Sequence, residues 1–170
     1  MNYINKGKRD ILIFPNFEDT YKIENIRKQY DQLYGIIPPH ITLVFPFDSQ
    51  MENSKLKKLL TEVLKNIKPF EIEMEGVSLR KDDKIKTNYI FLNLKKGQEK
   101  ILNIHNLIYE KVLQTKLNFT YVPHITLGCT DNEHEKICLN DKFKTIVDRI
   151  FVESIGENEE SNIEFEIVLK

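Results

Sequence analysis

The sequence predicts an α+β fold made of two similar halves, and three observations carry that expectation. The string Pro-His-Ile-Thr-Leu occurs twice, at Pro39–Leu43 and Pro123–Leu127, a repeat that chance produces on the order of once in a hundred chains of this length. The same order of elements, strand, helix, motif strand, helix, strand, runs through both halves. The strands of each half are joined in a way that suits antiparallel neighbours, which favours a pair of mostly antiparallel sheets over a doubly wound fold. The 170 residues form one domain with a real core, its lobe-forming halves at roughly 1–80 and 88–170.

Residues 10–14 (DILIF) read as a buried strand closed by Pro15. Helical spacing of Ile23, Ile26, Tyr30 and Leu33 predicts a helix over 18–33, broken by Gly35 and the Pro38-Pro39 pair. The β-branched and aromatic run 40–47 (HITLVFPF) is a strand that carries the first motif, with Pro46 at its end or on an edge. Leu56, Leu59, Leu60, Val63, Leu64 and Ile67 form one stripe of a helix over 54–67. A strand at 70–80 follows, then the lysine-rich connection RKDDKIKT, where the boundary between halves is placed.

The second half opens with a strand at 89–94 and a helix at 98–113, with Ile101, Ile104, His105, Ile108 and Val112 on one face. The second motif strand spans 121–128. A weakly patterned helix is expected over 132–146, and an antiparallel pair at 148–155 and 162–169 around GENEES.

Composition narrows the function classes. Twenty-five basic against 26 acidic residues leave a formal charge of −1, which argues against a surface that coats long nucleic acid and for a small or local partner such as one RNA end or a nucleotide. Cys129 and Cys138 have neither CxxC nor Cys/His metal spacing, so a reducing cytoplasm is the expected setting. The N-terminal stretch MNYINKGKRD reads as no export signal, and nowhere do eighteen apolar residues run together.

Strand alternation gives the repeated string its chemistry. His40 and Thr42 share one face while Ile41 and Leu43 share the other, and likewise His124 and Thr126 against Ile125 and Leu127. Residues i and i+2 of a strand lie about 6.6 Å apart, a spacing at which His and Thr hold separate oxygens of one phosphate-sized group. Two such strands would surround that group with two imidazoles and two hydroxyls. One neutral imidazole then takes a proton from the attacking hydroxyl or water, while the other, as imidazolium, protonates the leaving oxygen. The threonines donate to the non-bridging oxygens. The near-identity of the two strings leaves open which histidine is the acid.

Paired His-x-Thr motifs in two similar halves resemble the two-histidine (2H) phosphoesterase superfamily, and IPPHITLVFPF is similar to the bacterial 2′-5′ RNA ligase-like branch, which stands beside the cyclic phosphodiesterases. The resemblance implies a bilobal α+β fold of pseudo-two-fold related lobes, helices on the outer faces and a central cleft. It implies a phosphodiesterase without metal or other cofactor, acting on 2′,3′-cyclic phosphates or 2′-5′ linkages of RNA ends or nucleotides, with or without reverse ligation. By motif position His40 and His124 are the catalytic pair, and Thr42 and Thr126 the phosphate-binding pair. A nucleotide or RNA-end substrate is expected, with no DNA, no membrane and a monomeric state. Alternatives are a non-catalytic module that binds nucleotides or RNA ends in the same cleft, and a metal-dependent hydrolase.

Other residues receive plainer readings. Among the aromatics near the motifs, Tyr34, Phe45, Phe47, Tyr89 and Tyr121, the two singled out for base stacking or cleft lining are Phe47 and Tyr89. Arg80, Lys81, Lys84 and Lys86 read as a solvated loop, His105 as a satisfied core histidine and His134 as part of a solvated face.

Overall fold

The computed structural model of the protein describes residues 7–82 and 84–170. Residues 1–6, part of the stretch read as lacking an export signal, lie outside the described residues, as does Asp83 in the lysine-rich connection. In chain order the elements are β1 (Arg9–Ile13), α1 (Thr20–Tyr30), β2 (Ile41–Phe47), α2 (Asn53–Leu64), β3 (Phe70–Asp82), β4 (Thr87–Lys96) and α3 (Gln98–Leu107). A wider π-helical turn over Ile108–Leu113 prolongs α3, and β5 (His124–Thr130), β6 (Lys142–Val147), β7 (Arg149–Ile155) and β8 (Ser161–Val168) complete the chain.

All eight strands join one sheet in the order β6-β3-β4-β5-β2-β1-β7-β8, and every described pairing is antiparallel. The α+β, mostly antiparallel expectation holds. The sheets do not stand apart, because the motif strands β2 and β5 themselves pair at the centre through Ile41 and Ile125. The two sides of that junction draw on the chain differently: β2 continues into β1, β7 and β8, which joins the two ends of the chain, whereas β5 continues into β4, β3 and β6, a consecutive middle run.

The helices cover one face. Ile11, Ile13, Ile41, Leu43, Ile125 and Leu127 are buried in a single core with Leu56, Leu60, Ile101 and Ile104 of the helices, each such side chain stabilising the fold by roughly 1.5–3 kcal/mol. The helices cross over: α1 packs on β5, and α3 on β2. Gly128 makes the first contact feasible. Its φ is +129°, and a Cβ there would lie 2.2 Å from the carbonyl carbon of Tyr30, so only glycine lets the end of α1 approach β5.

One predicted element is wrong. No helix forms at 132–146; residues 131–141 are turn and irregular backbone, and Lys142–Val147 is an edge strand on β3. Its Phe143 and Val147 point inward between outward Lys142, Lys144 and Ile146, a two-residue period that β-branched Thr145, Ile146 and Val147 favour. Lys144 pairs with Glu73 and Lys142 with Glu75 across the ladder. The second motif strand begins at His124 rather than 121, after Pro123.

Candidate active site

The Ile41–Ile125 pair sets the register of the two motifs. Continued by one residue in each direction, it places His40 opposite Thr126 and Thr42 opposite His124. The isoleucines are fully buried on the helix side, so the four polar side chains share the open face, each half-buried. Strand spacing puts the two histidine Cα atoms at opposite corners, about 8 Å apart, which leaves room for one phosphate between the rings.

Both imidazoles are anchored in the same way. His40 Nδ1 lies 2.8 Å from the Pro38 carbonyl and His124 Nδ1 lies 2.6 Å from the Val122 carbonyl. Each carbonyl belongs to the residue before a proline, which steric clash holds extended, so the proline of the repeated string fixes the acceptor its histidine folds back upon. A carbonyl accepts only, hence Nδ1 carries the hydrogen and donates, and Nε2 is left free to accept or deliver a proton at the open face.

Neighbouring rings keep both histidines partly out of water. The Phe91 ring stacks on His124 with centroids 3.4 Å apart and an interplanar angle of 15°, and Phe14 meets His40 edge-on at 6.1 Å. Burial pushes the His124 imidazolium down to about 4, with the charges of His40 and Arg80 acting in the same direction. Burial also holds His40 below its ordinary value, where nearby Arg27 lowers it further and Asp31 offsets part of the effect. Without ligand at neutral pH, both rings are therefore neutral bases.

Beyond Ile41 the motif strands part, and side chains take over the backbone groups of β2. His105 Nδ1 lies 2.7 Å from the Leu43 carbonyl, Tyr121 donates its hydroxyl to the Thr42 carbonyl at 2.8 Å, and Phe45 N–H donates to the Tyr109 hydroxyl. Tyr121 stacks flat on His105 at 3.8 Å. His105 is thus a satisfied core histidine, as its place on the helix stripe predicts, and exposed His134 stands on the surface. On the other side, Arg27 is 1% exposed. It donates to Asp31 at 2.7 Å, to Glu24 and to the Ile37 carbonyl at 2.8 Å, which ties α1 to the segment that delivers His40.

The structure sorts the remaining sequence candidates. Tyr89 lines the groove beside His124, together with Arg80, Lys81 and Lys84. Phe47 instead packs against the hydrophobic core at the far end of β2, opposite Arg9, and Lys86 is not among the groove residues. Sequence reasoning missed Phe91, although the alternation Tyr89-x-Phe91 on a strand next to the second motif carries that signal. It also missed Asp10 and Glu153, directly opposed on β1 and β7, because no local pattern links residues so far apart.

Three comparisons place this geometry among known proteins. A family model described as the 2′-5′ RNA ligase superfamily matches residues 14–158. A Bacillus licheniformis protein provisionally named a phosphoesterase is 30% identical over 133 residues, 76% of either chain. Among solved structures, TT0787 of Thermus thermophilus superposes with a TM-score of 0.72 at 13% identity over 95% of this chain and 97% of that one. LigT of E. coli, crystallised with 3′-AMP, gives 0.62 at 13% identity over 96% and 98%. With a family match across most of its length and this fold around the paired His-x-Thr strands, the chain belongs to the 2′-5′ RNA ligase superfamily of 2H phosphoesterases.

Proposed function

We propose that the protein is a metal-independent phosphodiesterase that opens 2′,3′-cyclic phosphates or cleaves 2′-5′ linkages at RNA ends or in nucleotides. The observation that carries this reading is the matching anchoring of the two histidines, each with Nδ1 on the carbonyl two residues before it, on paired strands whose register sets a threonine opposite each histidine. LigT, with the same fold, has been crystallised with 3′-AMP, ATP and NADP+, which supports a nucleotide ligand here.

The chemistry follows from protons and charge. A phosphodiester between the rings carries a negative charge that favours the imidazolium form, and so offsets the burial that keeps both rings neutral without ligand. With one ring protonated, the neutral one takes a proton from water as its oxygen bonds to phosphorus. The other protonates the ribose oxygen as its bond to phosphorus breaks, and solvent exchange restores the starting forms. Thr42 and Thr126 donate to the two non-bridging oxygens, where charge grows in the transition state. Both half-sites come from one chain, so we read the enzyme as a monomer, and as cytoplasmic.

Hydrolysis of 2′,3′-cyclic nucleotides and 2′-5′ dinucleotides, with products resolved, tests the proposal. Activity is expected to survive EDTA and to fall by about 10²–10⁴ in His40→Ala or His124→Ala. Turnover retained in the double variant would overturn the mechanism, and loss to EDTA with rescue by zinc would point to a metal enzyme. Tight binding without product on long incubation would make the cleft a binding module only.

A further inference from the structure

The two half-sites match, but their surroundings do not. On the His124 side lies a groove of about 720 Å³ lined by the aromatic rings of Tyr89, Phe91 and Phe119 and by the cations Arg80, Lys81 and Lys84. On the His40 side a cavity of about 170 Å³ is lined by Asp10, Glu153 and Glu159, with no lysine or arginine. Three cations against one carboxylate, Asp82, thus stand with flat rings on one side of the reacting position, and three carboxyl groups without a cation on the other.

The aromatic and basic groups form a row. Phe91 stacks on His124, Tyr89 stacks on Phe91 at 6.3 Å and 26°, and Arg80 is the cross-strand partner of Tyr89 on β3. Of the four arginines, Arg9, Arg27 and Arg149 each have a carboxylate partner. Arg80 has none among the described residues, nor have Lys81 and Lys84. Asp82, the hairpin carboxylate among the described residues, lines the same groove and accepts the backbone N–H of Lys84. An arginine with no counter-ion among the described residues, at the end of an aromatic shelf, is suited to an anion that the ligand brings.

We propose that this row is a subsite for a second phosphate and its base: the preferred substrate carries a further phosphate beyond the reacting one, held by Arg80 with Lys81 and Lys84, while a base lies on the Tyr89, Phe91 and Phe119 rings. The assignment rests on His40 and His124 being a phosphodiester centre, and deepens that reading by naming the substrate class: an oligonucleotide end or a nucleotide with a 5′-phosphate, rather than a cyclic mononucleoside phosphate. The carboxyl groups beside His40 repel a phosphate, so the extra charge has only one side on which to lie. Stacking tolerates any base, so the subsite selects for phosphate more than for sequence.

Calorimetric binding of adenosine 3′-monophosphate and adenosine 3′,5′-bisphosphate to the wild type and to an Arg80→Gln, Lys81→Gln, Lys84→Gln variant tests the subsite without requiring turnover. The bisphosphate is expected to bind wild type about 10–100-fold more tightly than the monophosphate, with a steeper salt dependence, and the variant to reduce that ratio to about threefold or less. All three side chains are exposed, and Arg80→Gln alone serves should the triple variant fail to fold. Equal affinities in wild type, no measurable binding of either, or a preference that survives in the variants overturns the subsite. A preference that behaves as expected in a protein that turns over no cyclic phosphate would leave the subsite standing and remove the hydrolase reading instead.

Discussion

Asp10 and Glu153 face each other across β1 and β7, 7% and 1% exposed, and two buried carboxyls so close cannot both ionise. Burial pushes the Asp10 carboxyl up to about 9, with the Glu153 charge adding to it, and Glu153 is raised as well, again chiefly by burial. Ser161 donates its hydroxyl to Glu153, whereas Asp10 Oδ1 is buried and meets no donor unless the pair shares a proton. The unfolded chain releases that proton above an ordinary value of 3.8, so the folded state binds more protons between about pH 4 and 9, and stability contributed by the site is lost as pH rises through that window. At about 1.4 kcal/mol per pH unit, keeping the proton at pH 7 costs up to about 4 kcal/mol. Asp10→Asn has the same shape and a permanent amide donor toward Glu153, so it is expected to stabilise the protein by about 1–4 kcal/mol at pH 7 and by more at pH 9. Urea unfolding of both proteins at several pH values from 7 to 9, above the range in which the histidines titrate, gives the slopes. Parallel slopes for wild type and variant, or a variant less stable at pH 8, would refute the shared proton.

Further expectations concern the site and its supports. Phe91→Leu exposes the face of His124, so its imidazolium should titrate above the present value of about 4 and nearer the ordinary 6.5, as measured by NMR of the ring protons; an unmoved titration would discount burial as the cause. Because both histidines titrate low without ligand, the acid limb of kcat/KM is expected well below pH 6, and a limb at 6.5 or above would contradict the burial described. Gly128→Ala forces a methyl group onto the Tyr30 backbone and should destabilise by more than about 2 kcal/mol in denaturant titration; a change within about 0.5 kcal/mol would show that α1 can shift freely. Arg27→Met removes a buried cation from Asp31 and the Ile37 carbonyl and is expected to cost about 3–5 kcal/mol, with His40 chemistry impaired at temperatures where the fold persists.

How much was legible before any fold was known differs from residue to residue. The repeated string by itself determined the pair of His-x-Thr faces, because a strand alternates its side chains whatever it is packed against, and apolar periodicity determined most strands and all three long helices. It failed over 132–146, where a short amphipathic edge strand lacks the length to declare its period and becomes a strand only by pairing with Glu73 and Glu75 of β3. Which strand neighbours which was equally hidden, since the β2–β5 junction and the crossing of α1 onto β5 depend on contacts between distant parts of the chain. Local sequence supplies the proposed reacting groups, and only tertiary structure brings Phe91 against His124, Arg80 beside Tyr89 and Asp10 opposite Glu153. Burial, charge and ring stacking act through space, and those long-range neighbours make two identical motifs into two unequal halves of one site.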